Sequence, residues 1–163
     1  MILAAFALAA QLANPGFERG LDGWQTERHR GMRIEVGGNP EYMTRQSFEG
    51  ERFITMGWRA RNAAPREAHA RIFQQIDASR FRGRTIRVSA RTKAPDFAHR
   101  NGSLTVTAGT TTTRTAISAS PAWWRHDATL RVPRDASTIE IVFRSEGTGG
   151  ELSVDDVRLE VLR

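Results

Sequence analysis

The chain has no cysteine and only one lysine, Lys93, among its 163 residues. Without cysteine there is no disulfide framework and no thiol chemistry, so a buried core must hold the fold together. Lysine and arginine number 24 against 18 acidic residues, and the net charge of +6 is carried almost wholly by arginine. This charge would attract an anionic partner, although an arginine bias also follows from genome composition alone.

Long hydrophobic runs are also missing. No segment has the roughly twenty apolar residues that a helix needs to cross a bilayer. The uncharged run Ile2–Ala10 instead resembles the core of a secretory signal, and Ala7-Leu8-Ala9 matches the Ala-x-Ala pattern of a cleavage site. We therefore expect residues 1–13 to be a signal peptide and the protein to be secreted or periplasmic. Because no lysine or arginine precedes the run, a short buried helix or an N-terminal strand is the alternative.

Recognised catalytic motifs are lacking as well. The chain contains no Gly-x-Ser-x-Gly, no phosphate-binding glycine loop and no dinucleotide fingerprint. Glycosidase chemistry needs two facing carboxylates, and the acidic residues here are few and scattered. The histidines have no metal-binding spacing and are predicted to be surface or loop residues: His29, His69, His99 and His126. We predict that the protein is not an enzyme.

What the sequence does contain is a series of short alternating segments separated by turn residues. Alternation of apolar and polar residues is the pattern of a half-buried strand. The expected strands are 32–36, 52–58, 69–76, 85–91, 103–107, 111–118, 124–132, 138–144 and 152–162. About nine or ten such strands in one domain, residues 14–163, predict an all-β fold, an antiparallel β-sandwich or jelly roll.

The alternation also predicts which side chains are buried. Gln74 shares a face with Ile72, whereas Gln75 points to the other side of its strand, so one glutamine is expected to bind backbone and the other a ligand. Trp24 follows a glycine turn and is predicted to be core. Trp124 aligns with Leu130 and is predicted to be core too.

Three groups of residues carry a resemblance to a known family. Residues 14–18 read Asn-Pro-Gly-Phe-Glu, residues 21–24 read Leu-Asp-Gly-Trp, and residues 154–159 read Val-Asp-Asp-Val-Arg-Leu. In this order and spacing they resemble the carbohydrate-binding modules with a galactose-binding-like jelly roll. The resemblance covers nearly the whole chain after residue 13. It implies a two-sheet β-sandwich, a structural calcium near the paired chain ends, and sugar binding on a concave face or at loop tips.

Two carboxylates fit the implied calcium site. Glu18 and Asp155 would supply hard oxygen ligands from the first and last strands. If the Val157 side of the last strand faces the core, strict alternation points Asp155 inward, where a buried carboxylate needs a cation or strong donors. Backbone N–H groups or an arginine are the alternatives to calcium.

Sugar contacts are expected from aromatic, amide and guanidinium groups. An aromatic ring offers sugar C–H bonds a rigid apolar surface, and a guanidinium can bind a carboxylate or sulfate with two hydrogen bonds. Arg87 and Arg91 share the outward side of one strand, as Arg125 and Arg131 do on another, although a solvated polar face would look the same. The predicted carbohydrate-binding residues are Trp58, Trp123, Tyr42, Gln75, Arg87 and Arg125.

These features predict non-catalytic carbohydrate binding, and an anionic polysaccharide would suit the arginines. The alternative is a structural or adhesion protein of the cell envelope that binds a protein or polymer partner. A small jelly-roll enzyme and a nucleic-acid-binding protein are further alternatives. Nucleic-acid binding is disfavoured by the export signal, the single lysine and the absence of a recognised motif.

Overall fold

The computed structural model describes residues 12–37, 47–58, 68–95, 102–147 and 151–162. Within them lie ten strands and no helix, so no helix there could span a membrane. The strands are β1 (Gln25–Arg28), β2 (Met32–Gly37), β3 (Phe53–Trp58), β4 (His69–Asp77), β5 (Thr85–Ala94), β6 (Gly102–Ala108), β7 (Thr111–Ile117), β8 (Ser120–Arg131), β9 (Thr138–Glu146) and β10 (Glu151–Leu162). Every predicted strand is confirmed, and β1, whose four residues are all exposed, was not predicted.

The strands form two five-stranded sheets in which every pairing is antiparallel. Sheet A has the order β1-β4-β9-β6-β7, and sheet B has the order β2-β3-β10-β5-β8. Consecutive strands often lie in different sheets, so the chain crosses repeatedly from one layer to the other. This confirms the predicted all-β sandwich.

The core lies between the sheets because apolar side chains alternate inward. In β5, Ile86 and Val88 are fully buried, and in β9 Ile141 and Phe143 are as well. Trp24 packs against Phe143, with 6.2 Å between the ring centroids, which confirms its predicted core position. Burial of a side chain of this size contributes about 1.5–3 kcal/mol relative to exposure.

The two chain ends lie side by side, as the resemblance implies. The Val157 N–H donates a 3.0 Å hydrogen bond to the Pro15 carbonyl. Gln74 fixes the start of the chain from inside the sandwich, since its amide accepts from the Ala13 N–H and donates to the carbonyls of Ala13 and Gly23. The buried glutamine of the pair therefore binds backbone, as predicted.

The predictions for Trp124 and His126 were wrong. Burial in β8 alternates only from His126 onward, and the residues before it are exposed or half-buried. Trp124 is consequently 65% exposed rather than core, whereas His126 is 8% exposed and points into the sandwich rather than lying on the surface.

A β-bulge in β10 changes the direction of Asp155. Asp155 pairs with Arg91, but Arg158 pairs with Ser89, so β10 has one extra residue at this point. Asp156 takes the left-handed conformation (φ 47°) that such a bulge uses. Val157 faces the core, and Asp155 lies on the outer side of sheet B instead of the inward side that strict alternation predicted.

Candidate functional site

The outer side of sheet A carries polar side chains grouped around one aromatic ring. We call this group the sheet A surface; its members are Glu27, Arg71, Phe73, Gln75, Glu140 and Arg144. The members on β4 and β9 alternate along their strands with buried residues, so they point away from the core, and Glu27 on β1 is the cross-strand partner of Arg71. Five strands at about 4.8 Å spacing make this side of the sheet roughly 19 Å wide.

Neighbouring strands bring the members of this surface into direct contact. Arg71 donates from two guanidinium nitrogens to the Glu27 carboxylate, to which His69 is also hydrogen-bonded. The hydrogen bond from Arg71, followed by that from His69, lowers the pKa of Glu27 below its ordinary value. Glu27 is therefore an anionic hydrogen-bond acceptor at neutral pH and not a proton donor.

An aromatic and amide patch adjoins these ions. The Arg71 guanidinium lies 4.9 Å from the centre of the Phe73 ring, and Phe73 pairs across the sheet with Val142. Two residues after Phe73 on β4, the Gln75 side-chain amide donates a 2.8 Å hydrogen bond to Glu140. The result is an apolar spot bordered by donors and acceptors on rigid strands.

Charges on this side of sheet A balance. Arg144 contacts Glu146 at 2.7 Å, and Arg114 lies 3.7 Å from the same carboxylate. With Arg71 beside Glu27 and with Glu140 on the same side, these three arginines are matched by three carboxylates. The surface is thus suited to hydroxyl groups, which both donate and accept hydrogen bonds, more than to a strong ion.

The predicted carbohydrate-binding residues do not form one cluster. Gln75 lies on the sheet A surface, whereas Arg87, Arg125 and Trp123 lie on the other side of the sandwich, on the outer side of sheet B. Arg87 is hydrogen-bonded to Glu160, whereas Arg125 makes no ion pair with any described residue. The predicted site is therefore divided between two opposite surfaces.

Trp123, on the edge strand β8, contacts an aromatic ring of β3 across the outer side of sheet B. Its ring meets that of Phe53 edge-on, with 5.6 Å between centroids. Three strand spacings, about 14 Å in a flat sheet, separate β8 from β3, so the rings lean over the two strands between them. Tyr42 lies outside the described residues, and so does the side chain of Trp58, which ends β3.

Glu18 and Asp155 hold the same short segment, residues 47–52. Asp155 accepts hydrogen bonds from the N–H groups of Phe48 and Glu49, at 2.8 and 3.1 Å, and from Asp156. Glu18 accepts from the backbone at residues 51 and 52. The segment crosses the outer side of sheet B and buries Asp155 completely.

Burial dominates the electrostatics of Asp155. Removal from water raises the pKa of this carboxyl to about 6, although the backbone hydrogen bonds at residues 49, 156 and 48 act in the opposite direction. Among the described residues, no three His, Asp or Glu side chains are grouped as a metal site. Both carboxylates keep free lone pairs, so a hard cation would find part of its ligands here.

The sequence interpretation missed most of the sheet A surface. The alternation of residues 69–76 already placed Arg71 and Phe73 on the same side as Gln75. Their cross-strand partners, however, come from β1 and β9, which are distant in sequence. Glu27 lies in a strand without alternation, so no sequence signal placed it beside Arg71.

Comparison with known proteins gives a structural likeness and no sequence family. No protein-family model matches the chain, and no curated protein does. A family 61 carbohydrate-binding module, solved with β-1,4-galactotriose, superposes with a TM-score of 0.65 at 18% identity, over 93% of this chain and 97% of that one. A family 4 module gives a TM-score of 0.62 at 17% identity, over 93% and 99%.

The chain shares the β-sandwich fold of these two modules. The same β-sandwich also matches the enzymatically active domain of bacteriophage CBA120 tailspike protein 4, with a TM-score of 0.71 at 13% identity. That match covers 94% of this chain but 22% of the tailspike chain, so the present fold corresponds to about a fifth of it. Identities this low establish the architecture, and the ligand has to be argued from the side chains.

Proposed function

We propose that this protein binds carbohydrate, without chemistry, on the sheet A surface. The observation that carries the proposal is the arrangement of Glu27, Arg71, Gln75 and Glu140 around the Phe73 ring. Sugar-binding modules of the same architecture support it, since one of them was solved with β-1,4-galactotriose.

The physical chemistry of this surface matches a sugar ring. The Phe73 ring offers C–H groups an apolar face with little rotamer entropy to lose. Carboxylate, amide and guanidinium groups next to it are planar, and each can bind two vicinal hydroxyl groups. Because the side chains already contact one another across strands, little order remains to be imposed when a ligand binds.

The state of Glu27 supports binding without catalysis on this surface. Hydrolysis of a glycosidic bond needs one carboxyl that is protonated and one that is ionised. The pKa of Glu27 is lowered by Arg71, so this group is not held in the protonated form. Glu140 is hydrogen-bonded to Gln75, a residue with no acid–base function.

We further propose that the natural ligand is an acidic polysaccharide and that the protein meets it outside the cytoplasm. The net charge of +6 and the predominance of arginine support an anionic polymer. The apolar run Ile2–Ala10, which lies outside the described residues, supports export.

Calcium at Glu18 and Asp155 stays a prediction. The two carboxylates converge on residues 47–52, where backbone carbonyls and water would have to complete the six to eight oxygen ligands. A calcium ion there would stabilise the attachment of this segment, by about 2.7 kcal/mol at 100 times its dissociation constant. We expect a chelator to lower the melting temperature by several degrees. An unchanged melting temperature, with no calcium found by elemental analysis, would contradict this site.

The sheet A surface is tested by binding measurements on single variants. Retardation in gels that contain soluble polysaccharides identifies a ligand, and calorimetry then gives its dissociation constant. We expect Phe73→Ala and Gln75→Ala each to weaken binding at least tenfold, about 1.4 kcal/mol. Trp124→Ala is the matched control because it removes an exposed aromatic ring at the edge of the other sheet.

Two results would overturn the proposal. Loss of binding in Trp124→Ala, with Phe73→Ala unaffected, would place the sugar at the edge of sheet B. Release of reducing ends or unsaturated products from a bound polysaccharide would show an enzyme.

The adhesion alternative predicts an apolar patch on the surface. The large apolar side chains that are exposed in the described ranges, however, come from three separate elements: Val36, Phe48 and Trp124.

A further inference from the structure

Three neighbouring cations on the outer side of sheet B have no carboxylate partner among the described residues, and Arg131, at the far end of β8, is a fourth. Arg91 and Lys93 on β5 and Arg125 on β8 point outward, and none forms an ion pair with another described residue. We call them the cationic triad. The other arginines of this side near the strand centres are paired: Arg33 with Glu151, Arg87 with Glu160, and Arg158 with Asp156.

Two members of the triad face each other directly. Arg91 and Arg125 are cross-strand partners in the antiparallel pairing of β5 with β8. Partners in such a pair have Cα atoms about 4.5–5.5 Å apart, and like charges in this relation are destabilising. The sheet therefore carries an electrostatic cost at this point, which the attraction between Arg125 and Glu160 offsets in part.

Two of the nearby carboxylates are already engaged. Asp155 is the other cross-strand neighbour of Arg91, but its oxygens accept backbone N–H groups under residues 47–52. The hydrogen bond from Arg87 lowers the pKa of Glu160, and Arg125 adds a smaller effect in the same direction. No described side chain forms an ion pair with Arg125, so its guanidinium is open to a ligand on this side of the described strands.

Aromatic rings border the triad. The Arg91 guanidinium stacks on Phe48, 4.3 Å from the ring centre, which restrains its direction. Trp123 lies in the β8 bulge opposite Lys93 and contacts Phe53. Restrained guanidinium forks beside aromatic rings suit a group that is both flat-faced and anionic, as an acidic sugar unit is.

We infer that the cationic triad is a second binding site, separate from the sheet A surface, which takes the carboxylate or sulfate group of an acidic glycan. This inference depends on the proposed function in one respect, that the molecule which bears the anionic group is a glycan. The two sites lie on opposite sides of the sandwich, so one molecule could hold two polysaccharide strands at once.

A matched pair of variants tests the site. Arg125→Gln and Arg131→Gln remove the same charge from the same side of the same strand, but Arg131 lies six residues away, roughly 20 Å. With dextran sulfate or polygalacturonate at about 0.15 M salt, where long-range attraction is screened, we expect Arg125→Gln and Lys93→Gln to raise the dissociation constant at least fivefold. Arg131→Gln should change it less than twofold.

Stability gives an independent readout. Because Arg125→Gln removes a like-charge pair, its melting temperature without ligand should equal or exceed that of the wild type. Inorganic sulfate should raise the melting temperature of the wild type more than that of the variant. A merely structural role for Arg125 would instead lower the stability of the variant.

Comparing the two polyanions shows whether the site prefers a sulfate or a carboxylate group, and three further results would contradict the proposal. Binding of dextran sulfate alone indicates a sulfated glycan, and binding of polygalacturonate alone a carboxylated one. Equal weakening by Arg125→Gln and Arg131→Gln would overturn the site in favour of general charge attraction, and preferential binding of a DNA duplex would overturn the glycan. Loss of neutral-glycan binding in Phe73→Ala, together with unchanged acidic-glycan binding in Arg125→Gln, would refute the triad while leaving the proposed function standing.

Discussion

His126 is held between the sheets by two hydrogen bonds that only the neutral ring makes together. The Ser118 N–H donates to its Nε2 at 3.2 Å, so Nδ1 carries the proton and donates to the Thr92 hydroxyl at 2.9 Å. Burial lowers the pKa of His126, although the nearby Asp127 acts in the opposite direction. If Nε2 were protonated, its N–H would face the Ser118 N–H, and neither donor would have an acceptor there.

This arrangement makes stability depend on pH. A pKa that is depressed on folding stabilises the protein above the unfolded value, about 6.5, and this stability is lost as pH falls through the folded pKa. We expect the free energy of unfolding to fall between pH 6.5 and 5 more steeply in the wild type than in His126→Gln. Urea unfolding at each pH measures it. The raised pKa of Asp155 acts with the opposite sign in both proteins, so it cancels in the difference; parallel pH curves would contradict the assignment.

Single residues also show how far sequence reasoning reaches. Gln74 and Gln75 were assigned to opposite sides by alternation alone, and the structure has one inside and one outside. The same reasoning failed for Trp124 and His126, because alternation gives relative direction but not whether a second sheet lies opposite. Burial of an end of a strand is a property of the assembled sandwich.

At the scale of an element, residues 47–52 depend on one glycine. Gly50 has φ of +67°, and a Cβ there would come within 2.1 Å of the Glu18 carboxylate oxygen. Any other residue would be strained in this left-handed conformation and would displace the carboxylate that anchors the segment.

We expect Gly50→Ala to lower the free energy of unfolding by about 1–2 kcal/mol, the cost of this conformation for an L-residue. It should also speed amide exchange at Phe48 and Glu49, whose N–H groups bind Asp155. Gly16→Ala is the matched control, since nothing lies within 4 Å of a Cβ at that position. Equal stability of the two variants in urea unfolding would show that the segment is not anchored in this way.

The strands themselves were predictable and their irregularities were not. Nine of the ten were indicated by turn residues and alternation, whereas β1 is too short and too polar to show a period. The bulge at Asp155 turned a predicted inward carboxylate outward. An extra residue in a strand is stabilised by partners such as the Pro15 carbonyl, which lies more than a hundred positions away in sequence.

For the molecule as a whole, two surfaces with different chemistry lie back to back. The sheet A surface is charge-balanced around Phe73, and the outer side of sheet B holds Arg91, Lys93 and Arg125, which form no ion pair with a described residue. The sandwich could be predicted because the alternation and turn residues that indicate each strand lie within a few neighbouring positions of the sequence. It could not group the site residues, because strand order in the sheets decides which side chains meet.

The central claim, that a glycan binds on the sheet A surface, is tested most directly by mapping amide chemical shifts while a bound oligosaccharide is titrated. We expect the perturbed amides to lie in β1, β4 and β9, centred on Phe73 and Gln75. The triad would respond separately, and only to acidic glycans. Perturbation by a neutral oligosaccharide that is confined to sheet B, or no perturbation with any glycan, would contradict the account.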